Sequence, residues 1–200
     1  MLVKTELLDA IAPTNRGILA SKTEKQAILS AVARLEDRNP TANPLEAAGL
    51  LDGNWRLLYT TSTELLGIDR FPLVKLGAIY QCLRLADARL FNIAEVATLP
   101  YLEGLVSVAA RIEPVSGRRV NVNFERAVFG LQRLLGYKSP NPFINVLETP
   151  QKFNLLQGVD FEIKRENQSG WLEITYLDRD MRIGRGNQGS VFVLGKVGSG

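Results

Sequence analysis

The stretch from Trp171 to Leu194 constrains the fold of this chain more than any other. It reads as two apolar runs, Trp171–Tyr176 and Ser190–Leu194, around a charged segment that holds Met181 and Ile183 and ends in a glycine cluster. Gly184, Gly186 and Gly189 spell G-x-G-x-x-G, the spacing by which dinucleotide-binding folds cradle a pyrophosphate at a helix N-terminus. The segment that follows, Ser190-Val191-Phe192-Val193-Leu194, is β-branched, aromatic and too short for that helix. The glycines are therefore assigned to a hairpin turn, where positive φ is needed and glycine adopts it at least cost. With a second strand-like segment at Trp55, the pattern predicts a closed antiparallel barrel.

Two hundred residues suit one domain, or one domain with a small helical extension. A chain of this length buries roughly 70% of its unfolded surface and needs no disulfide. Cys82 is the single cysteine, which fits a reducing compartment and deprives the sequon Asn167-Gln168-Ser169 of meaning. The 24 basic and 21 acidic residues give a net charge of +3, so no nucleic-acid footprint is called for. No apolar run reaches the roughly 20 residues that span a bilayer. The N-terminal residues Met1–Glu6 lack the features of a secretory signal or a transit peptide. A plastid origin would require the numbering to begin after cleavage. There is no histidine. That excludes Ser-His-Asp and Cys-His triads and histidine zinc sites, and the lone cysteine excludes thiolate clusters. Carboxylate, lysine or tyrosine chemistry is what remains for an enzyme.

Residues 1–52 read as a helical segment packed on the barrel, and 53–200 as the barrel itself. Ser21-Lys22-Thr23-Glu24 has capping-box spacing, and Ile28, Ala31, Val32 and Leu35 form one apolar stripe. Asn39-Pro40 ends that helix. Weaker helices are expected over Val3–Ala12 and Leu45–Leu51. From Gly53 the period becomes two: Trp55, Leu57 and Tyr59 alternate with Arg56 and Thr60. Further strands are expected at Ala78–Leu85 and Leu90–Ala97 within the region 72–97, and at Leu105–Glu113, Arg119–Ala127, Phe161–Arg165, Trp171–Leu177, Asp180–Gly184 and Ser190–Leu194. Val106, Val108, Ala110 and Ile112 share a face, as do Val120, Val122 and Phe124. The apolar region 130–158, with Pro140, Pro142 and Pro150, reads as a loop packed over a barrel mouth or against a membrane surface.

Gly53-Asn54-Trp55 is a G-x-W at the head of the first strand. It resembles the opening of lipocalins, in which the tryptophan plugs the barrel and a late-strand arginine lies across its ring. Arg182 or Arg185 can supply that arginine here. Trp55-Arg56-Leu57-Leu58-Tyr59-Thr60-Thr61-Ser62 and the run from Tyr176 to Leu194 resemble the N- and C-terminal motifs of the fibrillin, or plastid lipid-associated protein, family. The missing leader fits its cyanobacterial branch. That resemblance implies a lipocalin-like barrel, cytoplasmic and peripheral on thylakoid membranes or lipid globules, with roles in lipid or isoprenoid handling and photoprotection. Asp178 and Asp180 resemble acidic positions of the family motif. They read either as an acid–base pair or as turn carboxylates locked to arginines and backbone donors.

The resulting expectation is a noncatalytic carrier or scaffold for a lipid, isoprenoid, quinone or carotenoid, with no cofactor, metal or catalytic residue. Tyr59, Val108, Phe124, Ile174 and Phe192 are the expected lining; Gly53, Trp55, Asp178, Arg182, Arg185 and Gly186 are the structural motif. The alternative is a coat that binds membrane or globule surfaces through 130–158, aided by Arg111, Arg118, Arg119, Arg126, Arg133 and Lys138 near anionic headgroups. Less favoured is a small isoprenoid-acting enzyme using Asp178, Asp180 or Tyr176. Nucleic-acid binding has Tyr137-Lys138 as its one partial candidate.

Overall fold

The computed structural model describes residues 2–62, 75–97, 102–163 and 169–198. The expected strand residues 164–165, the sequon residues 167–168 and residues 72–74 lie outside these. Two helices come first, α1 (Leu2–Ile11) and α2 (Lys22–Glu36). The capping box forms as the spacing predicts: the Glu24 amide donates to Ser21 Oγ at 3.2 Å, and the Ser21 amide donates to the Glu24 carboxylate at 2.8 Å. Ile28, Ala31, Val32 and Leu35 are buried along one face. A single helical turn, α3 (Ala48–Leu51), leads into the first strand.

The described residues form nine strands: β1 (Gly53–Thr60), β2 (Lys75–Arg84), β3 (Arg89–Ala97), β4 (Gly104–Pro114), β5 (Arg119–Leu131), β6 (Gly158–Glu162), β7 (Ser169–Leu177), β8 (Met181–Gly186) and β9 (Val191–Lys196). Their pairings are all antiparallel, in the order β4-β3-β2-β1-β9-β8-β7-β5-β6, and β4 also pairs with β5. The sheet thus closes in a ring. β5 is long enough to serve two neighbours along its far edge, β7 at Arg119–Asn123 and β6 at Arg126–Gly130.

Three apolar clusters fill the space that this topology creates. One gathers Trp55, Leu57, Leu83, Leu90, Ile112, Val122, Ile174 and Leu194 from strands all around the ring, and so occupies its interior. A second joins α1 and α2 to Tyr59, Tyr176, Ile183 and Val193 on the outer face. A third covers the outer face of β2–β5. Bulges divide the first two: Leu57 pairs with Leu194 and Tyr59 with Val193, so the extra residue Leu58 turns Tyr59 outward. The same happens between Ile174 and Tyr176, opposite Gly184 and Ile183.

The region 130–158 departs from the expected loop. It contains two helices, α4 (Gln132–Leu135) and α5 (Pro140–Leu147). Pro140 and Pro142 fall in the first turn of α5, where the missing N–H groups have no intrahelical acceptor in any case. Leu135, Tyr137, Phe143, Ile144 and Leu147 pack against Phe91, Ile93, Leu105 and Val128 of the sheet. The segment covers the side of the ring rather than its mouth.

Candidate ligand cavity

One end of the ring is closed. Trp55 is fully buried, its indole N–H donates to the Leu51 carbonyl of α3 at 2.9 Å, and Leu45, Ala47 and Leu50 pack beside it. Gly53 begins the strand at φ +119°, a conformation that side-chain-bearing residues avoid, which accounts for the glycine of the G-x-W. The Arg182 guanidinium carbon lies 5.1 Å from the Trp55 ring centroid, and Lys196 Nζ lies 4.9 Å from it. Arg182 is therefore the arginine across the tryptophan. Arg185 faces outward and pairs with Glu36 of α2 through two contacts of 2.8 and 2.7 Å.

Above this plug the ring encloses a cavity of about 370 Å³. Leu57, Leu90, Val106, Val122 and Leu172 contribute apolar wall, as do Val108, Phe124 and Phe192 from the expected lining. Ile174 belongs to the interior cluster but not to the cavity wall, and the bulge places Tyr59 outside, against the helices. Among the described residues, the half-buried Trp171 and Ser190 and the exposed Asn187 mark the open end. The glycine cluster works differently from a simple turn. Only Gly189 takes a positive φ, +70°. Gly184 and Gly186 lie within β8, where an added Cβ would come within 3.1 Å of Leu172 and of the Phe192 ring respectively. β8 thus presents Arg182, Gly184 and Gly186 inward, and its two glycines leave room for the packing of their neighbours.

Polar groups also face inward. Arg182 is 1% exposed, donates through Nη2 to Gln81 Oε1, and its Nη1 has no hydrogen-bond partner among the described residues. Burial pushes its pKa below the ordinary arginine range, and no carboxylate pairs with it among the described residues. Gln81 in turn donates to Asn92 Oδ1 at 3.1 Å, and both amides line the cavity. Sequence reasoning missed Gln81 and Asn92. Their signal was a polar residue on the apolar parity of its strand: Gln81 between Ile79 and Leu83, Asn92 between Leu90 and Ala94.

Asp178 is a turn lock on the outer side, beside α1. It accepts from Lys4 Nζ at 2.8 Å, Tyr176 Oη at 2.6 Å, and the amides of Asp180 and Met181 at 3.0 and 2.7 Å. Its cationic partner is thus Lys4 and not an arginine. Burial alone would raise its pKa, but the hydrogen bonds from Lys4, Tyr176 and the two amides outweigh that and hold it at about 2. An acid held ionised far below neutrality is poorly matched to general acid–base work. A depressed pKa contributes stability that is complete above the unfolded value near 4 and is lost as pH falls towards 2. After allowance for partial solvent exposure, Asp178→Asn should lower the unfolding free energy by about 1–2 kcal/mol at pH 7 and by much less at pH 2. Urea titrations of both proteins at the two pH values measure the difference.

Several of the basic side chains expected at a headgroup surface are engaged in ion pairs. Arg111 pairs with Glu125, Arg118 and Arg119 with Glu173, and Arg126 with Asp160. Tyr137 is buried and donates to Glu95 at 2.8 Å, so its ring offers no platform for stacking a base.

Comparison with known proteins adds the context. The family model PAP_fibrillin matches residues 1–195. A probable plastid-lipid-associated protein 2, chloroplastic, of Arabidopsis thaliana is 32% identical, over 98% of this chain and 71% of its own. A chromoplast-specific carotenoid-associated protein of Cucumis sativus is 32% identical, over 98% and 68%. Plastoglobulin-1, chloroplastic, of Pisum sativum is 34% identical, over 98% and 61%. No solved structure matches the chain.

Proposed function

Since the chain belongs to the PAP_fibrillin family, we propose that it is a noncatalytic protein that holds a small apolar molecule inside its ring. In this reading the ring acts as a lipocalin-like barrel, peripheral on thylakoid membranes or lipid globules, and its cargo (a lipid, isoprenoid, quinone or carotenoid) serves photoprotection. The observation that carries the reading is the cavity of about 370 Å³. It falls in the range of about 300–1,000 Å³ usual for small-molecule sites, and its wall has their composition, mostly apolar with a few fixed polar groups. The relatives' names, lipid-associated and carotenoid-associated, point the same way.

Mass spectrometry of the organic extract from natively purified protein should find a stoichiometric apolar molecule. Adding it back at a hundred times its Kd should stabilise the delipidated protein by about 2.7 kcal/mol. An empty extract, with no rise in melting temperature for any of the four classes, removes the carrier reading.

A second reading, a coat on lipid surfaces, has one observation in its favour. Leu155 and Leu156 are 91% and 86% exposed, and the exposed Phe129, Val159 and Phe161 stand on the neighbouring strands β5 and β6. A patch of this kind suits a lipid interface. Leu155→Ser/Leu156→Ser should then reduce flotation with liposomes severalfold and leave cargo binding intact. Unchanged flotation removes this reading.

A further inference from the structure

The hydrogen bonds inside the ring have a direction. Arg182 can only donate, so the Gln81 oxygen must face it and the Gln81 nitrogen must face away. That nitrogen donates to Asn92, so Asn92 must turn its oxygen towards Gln81. The nitrogen of Asn92, with two N–H groups, then has no partner among the described residues and belongs to a side chain on the cavity wall. The direction is set from below by a cation that neither amide can override, and flipping either amide would set donor against donor. Behind the chain, Arg182 Nη1 is buried and unpartnered, and the guanidinium has no counter-ion among the described residues. Buried donors are seldom left unsatisfied, and an unpaired buried cation gives its surroundings a positive potential that favours electron-rich atoms.

We propose that the cavity selects apolar molecules that carry a hydrogen-bond acceptor, a carbonyl of the quinone, ketone or ester kind, and that Asn92 meets that oxygen with Gln81 and Arg182 as positioning residues. The proposal rests on the carrier reading and narrows it. Pure hydrocarbons fit the walls but leave the Asn92 donors unmet; an acceptor at the inner end of the molecule satisfies them.

A matched pair of ligands tests this: geranyl-benzoquinone and geranylbenzene, which share a carbon skeleton and differ in the two carbonyl oxygens. Each is titrated against Nile red bound to the delipidated full chain. The quinone should displace the dye at about tenfold lower concentration, the worth of roughly one buried hydrogen bond. Asn92→Leu keeps the volume and removes the donors, so the preference should fall below about twofold while geranylbenzene binds as before. Asn92→Asp supplies acceptors only, so the quinone should bind less well than the hydrocarbon. Thermal melts confirm that each variant is folded, and either one suffices. Equal displacement by both ligands from the parent protein, or a tenfold preference that survives both substitutions, overturns the proposal and leaves the carrier reading standing. Displacement by neither ligand also overturns the proposal, and the extract and melting measurements described above then decide the carrier reading.

Discussion

Trp55→Ala is expected to lower the unfolding free energy by about 3–5 kcal/mol, among the largest losses available to a single side chain. Among the described residues Trp55 heads the fully buried side chains by volume, and it seals one end of the ring. Truncation opens a cavity among Leu51, Leu83, Leu90 and Leu194, removes the indole hydrogen bond to Leu51, and strips Arg182 and Lys196 of the ring they approach. Each cation–ring contact adds about 0.5–2 kcal/mol, according to how dry it is. Trp55→Phe retains much of the volume and the ring face, and should cost markedly less. Urea denaturation of the three proteins ranks them. A Trp55→Ala protein within about 1 kcal/mol of the parent would show that the tryptophan is not a structural plug.

Arg126→Met is expected to cost a comparable 3–5 kcal/mol, because it strands a buried charge. Asp160 has no exposed side-chain surface, and Arg126 meets it with two contacts of 2.9 and 2.7 Å. Burial would raise the Asp160 pKa, but Arg126 and the Phe153 amide hold it below the ordinary carboxylate range. Without Arg126 the buried acid must either stay charged and unpaired or take up a proton, and either one costs stability. The same guanidinium donates to the carbonyls of Leu147 and Gln151, where the chain leaves α5 for β6. Removing both charges together, Arg126→Met with Asp160→Leu, should recover much of the loss. Denaturation of the two single variants and the double variant closes that cycle, and additive losses would show that the pair is not coupled.

Arg126 also illustrates what the chain shows of itself before folding is known. Its strand was legible, and so were the faces shared by Val106, Val108, Ala110 and Ile112 and by Val120, Val122 and Phe124, though not which face points inward. Alternation puts Arg126 on the face of Phe124, and the bulge at Glu125 turns it outward. Which of its neighbours would neutralise it was not legible, since Asp160 lies beyond two helices that prolines seemed to forbid. Those prolines sit in the first turn of α5, where they are harmless. Tyr59 shows a second limit. Alternation assigns it to the face of Trp55 and Leu57, but one extra residue in the strand reverses the parity of all that follows. Nothing in the run Leu57-Leu58-Tyr59 betrays a bulge, which depends on the register against β9. The Trp55–Arg182 contact was recoverable from the G-x-W and the late arginine. The polar chain behind it was not, because Gln81 and Asn92 acquire meaning only when β1, β2, β3 and β8 face one another.

The ladder between β1 and β9 joins residues well over a hundred positions apart, Leu57 to Leu194. On a ribosome, the first strand emerges long before its partner has been translated. Until then one flank of β1 offers unpaired amides and carbonyls to any passing strand, a known route to aggregation. Helices α1 and α2 depend on the same late arrival, since their apolar cluster takes Met181, Ile183, Val191 and Val193 from the last two strands. Closure of the ring, docking of the N-terminal helices and enclosure of the interior are therefore coupled into one late folding event, with the slow kinetics that distant contacts impose. Loss of β9 alone would leave the nascent chain with two raw sheet edges and with helices deprived of Val191 and Val193, a substrate for chaperones and proteases.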